Sequence, residues 1–145
     1  MFGGGALFNA DQITALVFDI GSSLTKAGYA GEETPRGVFS SLVGSCSNSR
    51  WFGDDTHRPR PGMELASPLR NGLVSNWDLY EQLMEYAYSH TLGVDASEHP
   101  LMLCEPSWNP KNDREKMCEL AFETFNVPGL YLGKNAALSA YSLKF

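Results

Sequence analysis

The 145-residue sequence predicts one α/β domain. Short apolar runs that end at turn residues fill the first part of the chain and indicate strands. Farther along, apolar residues recur at helical spacing, and short apolar runs separate these segments. Apolar residues make up 43% of the chain, which is enough for a core and too many for a disordered protein. The predicted order is three strands, an insertion, then helix, strand, helix, strand and helix.

The first two predicted strands enclose a turn of small residues. Ala15–Phe18 is an apolar run typical of a buried strand, and Asp19 follows it. Ile20–Ser23 is predicted to be the turn and Leu24–Tyr29, which contains Lys26, the second strand. Small residues let backbone N–H groups approach a phosphate, hydroxyl and ammonium groups add donors, and a carboxylate can hold hydrated Mg²⁺. The segment predicts a phosphate-binding hairpin, with an ordinary Gly-Ser hairpin as the alternative.

A third strand and an insertion follow the hairpin. Val38–Val43 is the third strand candidate. Gly44–Ser67 is rich in Ser, Asn, Asp, Pro and Arg and shows little periodicity, so it predicts an irregular, exposed insertion. This stretch is the most basic of the chain and is either a solvated loop or a surface for a protein partner. Its basic side chains are those of Arg50, His57, Arg58 and Arg60.

Helices and buried strands alternate in the rest of the chain. Ser75 is predicted to begin the first helix as its N-cap, with Asp78 at the spacing of a capping box. Its apolar residues recur at i, i+3, i+4 and i+7, which indicates one buried face and aromatic side chains used for packing. These residues are Tyr80, Leu83, Met84 and Ala87.

Two further strands and two further helices are predicted. Leu101–Cys104 is a fully apolar strand. Asn109 is the predicted N-cap of the second helix, with Pro110 at its first position. Gly129–Leu132 is a short strand, and Asn135–Phe145 begins a mostly apolar helix that should be buried.

The composition argues against several classes of protein. The net charge is −6 and the pI about 4.9, so no direct, sequence-specific contact with nucleic acid is expected. No apolar run approaches about 18 residues, so no membrane contact is expected. Met1–Gln12 is Gly-rich, lacks the pattern of a signal peptide and is predicted to be flexible. Odd and widely spaced cysteines indicate a reducing compartment; they are Cys46, Cys104 and Cys118.

The stretch DIGSSLTKAGYAGEETPRGVFSSLVG, which begins at Asp19, resembles the first phosphate-binding segment of actin and the actin-related proteins. The later stretches NGLVSNWD and WNPKNDREKM resemble the same family, so the resemblance covers Ile13 to Tyr141. The predicted order of strands and helices fits several α/β layouts. The resemblance implies one of them, the ribonuclease-H-like actin ATPase domain, of which this chain holds the first, N-terminal half.

The resemblance also implies a division of this single, incomplete domain. Residues 1–44 and 68–145 correspond to the core of the first actin subdomain, and residues 45–67 to a reduced second-subdomain insertion. Only Ser45–Arg50 stand where conventional actin has the long loop that contacts the next filament subunit. Filament formation is therefore not expected. The second phosphate hairpin and second large domain of actin have no counterpart in this sequence, so no ATPase activity is expected from it.

The family pattern assigns ligand-binding roles to the hairpin. Asp19 would hold Mg²⁺ through water, and Asn135 stands where actin has a glutamine that positions the hydrolytic water. ATP and Mg²⁺ are expected for a longer parent protein, whereas in this chain alone a half-site that binds nothing is the alternative. Ser23 replaces a glycine of the family's phosphate turn. The residues implied to meet the phosphates are Gly21, Ser22, Ser23, Leu24 and Lys26.

Within the family, GMELASPLRNGLV and Lys134 resemble the nuclear actin-like proteins of chromatin complexes. This implies a non-catalytic scaffold subunit, or a truncated form of one, in nuclear chromatin-remodelling or histone-acetyltransferase complexes. Its expected partners are actin and remodeller or acetyltransferase subunits. The alternatives are a cytoskeletal, cytoplasmic filament protein, an enzyme of the same superfold such as a sugar kinase, and a truncated product without function. The end of the chain, Ser142–Phe145, departs from the family pattern.

Overall fold

Ten strands and three α-helices make up the structure, a computed structural model that describes residues 13–143. The α-helices are α1 (Trp77–Tyr86), α2 (Lys111–Glu119) and α3 (Asn135–Ser142). The first two continue as π-helical turns at Ala87–Leu92 and Leu120–Thr124. The strands are β1 (Leu16–Ile20), β2 (Leu24–Tyr29), β3 (Gly37–Ser40), β4 (Val43–Cys46), β5 (Ser49–Trp51), β6 (Glu64–Ala66), β7 (Leu69–Arg70), β8 (Leu73–Val74), β9 (Leu101–Glu105) and β10 (Leu130–Lys134).

Five of these strands form the central sheet in the order β10-β9-β1-β2-β3. β1 pairs in parallel with β9, and β9 with β10, while β2 is antiparallel to both of its neighbours. Four strands therefore run in one direction and β2 alone runs against them. The α/β class predicted from the sequence is confirmed. Because the parallel strands β1, β9 and β10 end at the same edge, the residues that follow them meet there.

One face of the sheet carries the core. β1 and β9 alternate buried and half-buried residues, so that Leu16, Phe18, Leu101 and Leu103 point to the same side. The ring of Phe18 lies 4.7 Å from that of Tyr88, which places the continuation of α1 on this face. Each fully buried side chain of this size stabilises the fold by roughly 1.5–3 kcal/mol, so this layer fixes the edge where β1 ends. No helix within residues 13–143 is long and apolar enough to span a membrane.

The opposite face of the sheet is only partly covered. α3 packs there through Leu138, whose Cδ1 lies 3.0 Å from the position that a Cβ on Gly133 would take. The prediction that this helix is buried is wrong: none of its residues is buried, and Tyr141 is 72% exposed. Leu138 is the only half-buried residue of this helix, and its other residues are exposed. The last two residues of the predicted helix and the start, Met1–Gln12, lie outside the described residues.

The insertion between the hairpin and α1 is ordered, not irregular as the sequence indicated. It forms a three-stranded antiparallel sheet in the order β5-β4-β6. A short helical turn, Gly53–His57, lies between β5 and β6. The tight turn between β4 and β5 holds Ser47 at a φ of 52°, in the left-handed region. Strands of three or four residues are too short to show a two-residue alternation, so no periodic pattern predicted them.

One detail of this region also corrects the sequence analysis. Val38–Val43 is not one strand, because the chain leaves β3 after Ser40 and enters the second sheet at Val43. Two of the four basic side chains, those of Arg58 and Arg60, have partners within the insertion. Arg58 and Arg60 lie 3.5 and 3.8 Å from the carboxylate of Asp55, and the Arg60 guanidinium stacks on the Trp51 ring at 4.6 Å.

Both predicted helix caps are wrong by one residue. Asn76 caps α1, because its Oδ1 accepts a hydrogen bond from the Leu79 N–H at 3.1 Å, while Ser75 donates its hydroxyl to the Pro68 carbonyl. α2 begins at Lys111 after Pro110, without a side-chain cap. The side chain of Asn109 donates instead to the Glu105 carboxylate at 2.8 Å. In both cases a tertiary hydrogen bond takes the side chain that the local pattern assigned to the cap.

Candidate functional site

The turn between β1 and β2 is tighter than the sequence predicted. β1 extends through Ile20, so that Asp19 lies opposite Lys26 in the antiparallel register. The Gly21 N–H donates to the Leu24 carbonyl at 3.0 Å and closes the turn. A Cβ on Gly21 would lie 2.9 Å from that same oxygen, a contact that real Cβ atoms essentially never make. The turn therefore requires glycine at this position.

Two neighbouring segments hold the turn in place. The Ser23 carbonyl accepts a hydrogen bond from the Ser41 N–H at 2.9 Å, and the Ser22 carbonyl accepts one from the Ser67 hydroxyl at 3.0 Å. Below the turn, the hydroxyls of Thr25 and Ser41 are buried and 2.8 Å apart. The carbonyl oxygens are thus drawn to one side by groups that follow β3 and β6.

The donors of the turn are left free. Within residues 13–143, neither the backbone N–H nor the hydroxyl of Ser22 or Ser23 hydrogen-bonds to another protein group, and both residues are exposed. Consecutive unpartnered N–H groups in a turn form a concavity that binds anions. A braced turn loses little conformational entropy when a ligand binds. This geometry fits a phosphate group.

Asp19 and Lys26 lie side by side on the partly covered face of the sheet. They line a cavity of about 360 Å³ together with Val17, Met102 and Cys104. Burial, and after it the nearby Asp19 carboxylate, raises the pKa of the Cys104 thiol to about 12, so this thiol stays protonated and unreactive at neutral pH. Because Asp19 lies near the end of β1, its carboxylate is at the edge that β1 and β9 share, where open α/β sheets bind ligands.

A magnesium ion at the turn would find one carboxylate, that of Asp19, because Glu32 and Glu33, which line the same cavity, follow the far end of β2. Within residues 13–143, no three His, Cys, Asp or Glu side chains come together as a metal-binding group. Mg²⁺ keeps several water ligands and is usually held by one or two carboxylates together with the phosphates of its ligand. Asp19 alone fits that mode of binding and does not fit a metal cage made only of protein groups.

A second cavity, of about 190 Å³, lies on the other side of the turn. It brings Gly21 and Ser22 together with Asn135, the first residue of α3. Ser23 and Leu24 line neither cavity, and the Leu24 side chain is largely exposed. The structure thus divides the predicted ligand-binding residues: Asp19 and Lys26 in one cavity, Gly21, Ser22 and Asn135 in the other, with the turn between them.

Two aromatic residues of the second cavity were not predicted as site residues. Tyr80, which the sequence assigned to core packing, lines it from α1, and Trp108 lines it from the loop after β9. The indole N–H of Trp108 donates to the Asn71 carbonyl at 3.3 Å. Their positions depend on the packing of α1 and of the loop against the turn, which helical periodicity does not show.

A buried acid fixes that loop. Glu105 is 1% exposed, and the Arg114 Nε lies 3.0 and 3.1 Å from its two carboxylate oxygens. The Asn109 amide donates to the same carboxylate. The three side chains tie the end of β9 to α2 across the segment that carries Pro106 and Trp108. The sequence held no local signal for this pairing, because the partners are nine residues apart and lie on different elements.

Comparisons with known proteins point to one family. The family model described as Actin matches residues 10–144. Actin-related protein 4 of Oryza sativa, subspecies indica and japonica, is 33% identical over 171 residues; the alignment covers 94% of this chain and 39% of the relative. Actin-related protein 4 of Yarrowia lipolytica is 37% identical over 153 residues, covering 94% of this chain and 35% of the relative. The chain thus spans less than half the length of these curated relatives.

Proposed function

The chain belongs to the actin family, and from this premise we propose that it is an actin-related, non-catalytic subunit of nuclear chromatin-remodelling or histone-acetyltransferase complexes. Its similarity to proteins named actin-related protein 4 supports this branch of the family. Its partners in this proposal are actin and the remodeller or acetyltransferase subunits, and its compartment is the nucleus. Because the chain spans less than half the length of these relatives, it would supply only part of this role.

The braced turn with free donors is the observation that carries the ligand-binding part of this proposal. Ser22 and Ser23 would donate backbone N–H groups to the phosphates of ATP, and Lys26 would add a positive charge. Asp19 would hold Mg²⁺ through water, and the ion when bound would neutralise phosphate charge. Gly21 keeps the turn tight, and Leu24 would contribute its backbone alone.

A structural role for ATP is favoured over hydrolysis. Asn135 is exposed, and its side chain is one methylene shorter than the glutamine of actin. A misplacement of about 1 Å at such a position costs on the order of 10²-fold in rate. A ligand that binds only the folded state stabilises it by mass action, without any turnover. The residues of this chain line one side of such a site.

The small sheet of the insertion supports a scaffold over a filament subunit. The turn between β4 and β5 consists of Ser47 and Asn48, because Cys46 pairs with Ser49. It leaves no long loop that could reach a neighbouring subunit. The sheet spans Val43–Ala66, which supports the proposed division into a core of residues 1–44 and 68–145 and an insertion of residues 45–67.

Affinity purification of the tagged chain from nuclear extract tests the scaffold proposal, with co-purifying proteins identified by mass spectrometry. We expect actin together with remodeller or acetyltransferase subunits. Recovery of chaperones alone would support the alternative of a truncated product without function, for which the exposed α3 is the structural argument. Recovery of filament proteins from a cytoplasmic extract, with sedimentation of polymer, would favour the cytoskeletal alternative.

A further inference from the structure

Tyr80 is buried in the core and also lines the cavity beside the turn. It projects from α1 and is 1% exposed, with its ring edge-on to that of Trp77 at 5.6 Å. Packing of this kind accounts for an aromatic ring. It does not account for the hydroxyl, because phenylalanine would fill the same space without a polar atom.

The Tyr80 hydroxyl makes no hydrogen bond to another group of residues 13–143, and it is not one of the fully enclosed, unpaired atoms, as the Tyr88 hydroxyl is. A polar atom on the wall of a cavity can be hydrated by water in that cavity or bind a ligand there. Tyr80 lines the cavity of about 190 Å³ that also contains Gly21, Ser22 and Asn135. A cavity of this size holds several water molecules, or a small anion in their place. The Tyr80 side chain thus lies on the same cavity as Ser22, one of the two turn residues with free donors.

The surroundings keep this hydroxyl protonated. Burial raises the pKa of Tyr80 well above its ordinary value, and the neighbouring Cys104, Asp19 and Glu105 raise it further. At neutral pH the side chain is therefore a neutral hydrogen-bond donor, the form that an anionic oxygen recognises.

We infer that Tyr80 is a further phosphate-binding residue, whose hydroxyl donates a hydrogen bond to an oxygen of the phosphate group held at the turn. The ligand class is a polyphosphate, and the contact is made from the α1 side of the cavity that Gly21 and Ser22 line. This inference rests on the proposed function, because it requires that the turn binds phosphate.

Titration of the full chain with magnesium tripolyphosphate and with magnesium ATP, followed by the amide NMR signals of Ser22 and Ser23, tests the inference. We expect Tyr80→Phe to weaken the binding of both probes on the order of tenfold, because a hydrogen bond to a charged group is lost. Without ligand, the melting temperature of this variant should match that of the wild type, since the Tyr80 hydroxyl makes no hydrogen bond within residues 13–143 and is not enclosed without a partner, as that of Tyr88 is.

Tyr88→Phe is the matched control. Tyr88 lies on the continuation of the same helix, its hydroxyl is buried and unpaired, and it does not line this cavity. This variant should bind tripolyphosphate as the wild type does.

Each outcome decides between the two proposals. Equal binding by the wild type and Tyr80→Phe overturns the role of Tyr80 and leaves the phosphate turn standing. A wild type whose Ser22 and Ser23 signals do not respond to either probe overturns the phosphate turn and the role of Tyr80 together. Weaker binding by Tyr80→Phe that is accompanied by changed signals throughout the sheet, or shared by Tyr88→Phe, shows a structural effect and also overturns the assignment.

Discussion

At the scale of single residues, Gly21 is the position of the turn that tolerates a side chain least. In Gly21→Ala the new Cβ would meet the Leu24 carbonyl at 2.9 Å, so the turn must open. We expect tripolyphosphate binding to weaken on the order of tenfold and the free energy of unfolding to fall by about 1 kcal/mol. Gly129→Ala is the control, because its Cβ would meet only Pro100, at an ordinary 3.9 Å. Equal effects of the two substitutions would show that the turn is not the cause.

Tyr88 offers the opposite test, a residue whose polar atom weakens the fold. The side chain is 4% exposed, its hydroxyl is unpaired, and its ring packs against Phe18 and Phe125 at 4.7 and 5.2 Å. Tyr88→Phe keeps both ring contacts and removes the buried hydroxyl. We expect the free energy of unfolding to rise by about 1 kcal/mol in urea denaturation. A loss of stability would mean that the hydroxyl has a partner, such as an ordered water.

At the scale of elements, substitutions at the start of α1 test whether Asn76 or Ser75 caps the helix. Asn76→Ala removes the acceptor for the Leu79 N–H and should lower the free energy of unfolding by about 1 kcal/mol. Asn76→Ser, which keeps an acceptor, should lower it by less. Ser75→Ala loses only a hydrogen bond to the Pro68 carbonyl at 3.2 Å and should cost less than Asn76→Ala. The reverse order, measured by urea denaturation, would restore Ser75 as the cap.

The ion pair between β9 and α2 is a second test at this scale. Arg114→Ala leaves the carboxylate of Glu105 buried with only the Asn109 amide to pair it. Because Arg114 is partly exposed and water can replace some of it, we expect a loss of about 2 kcal/mol, below the usual cost of breaking a buried pair. Lys111→Ala, which removes an exposed pair with Glu115 at 3.7 Å, is the control and should change stability by less than about 0.5 kcal/mol. Similar losses in both variants would show that the buried pair with Glu105 contributes no more to stability than an exposed pair.

At the scale of the whole molecule, the sequence predicted the parts that local patterns determine. The apolar runs of β1 and β9 and the helical spacing in α1 were sufficient for the α/β class. Short strands such as β5 left no periodic signal, and the caps depended on partners such as Pro68 and Glu105 from other elements. The residues of the turn came from a family resemblance, and their roles stay predictions. The packing of Tyr80 in the core was predicted and is confirmed, whereas its place on the cavity wall was not predicted, because burial in a cavity wall and burial in the core look alike in a sequence.

The uneven covering of the sheet gives a last prediction. β1 and β9 lie under α1 on one face, whereas α3 has no buried residue and reaches the sheet through Leu138. Local opening should therefore cost little free energy at α3 and nearly the full unfolding free energy at β1. Hydrogen exchange is expected to be fast in α3 and slowest in β1 and β9. Protection of α3 that rises with protein concentration would instead show that its exposed apolar face, with Tyr141, is covered by a second copy, since an intramolecular contact does not depend on concentration.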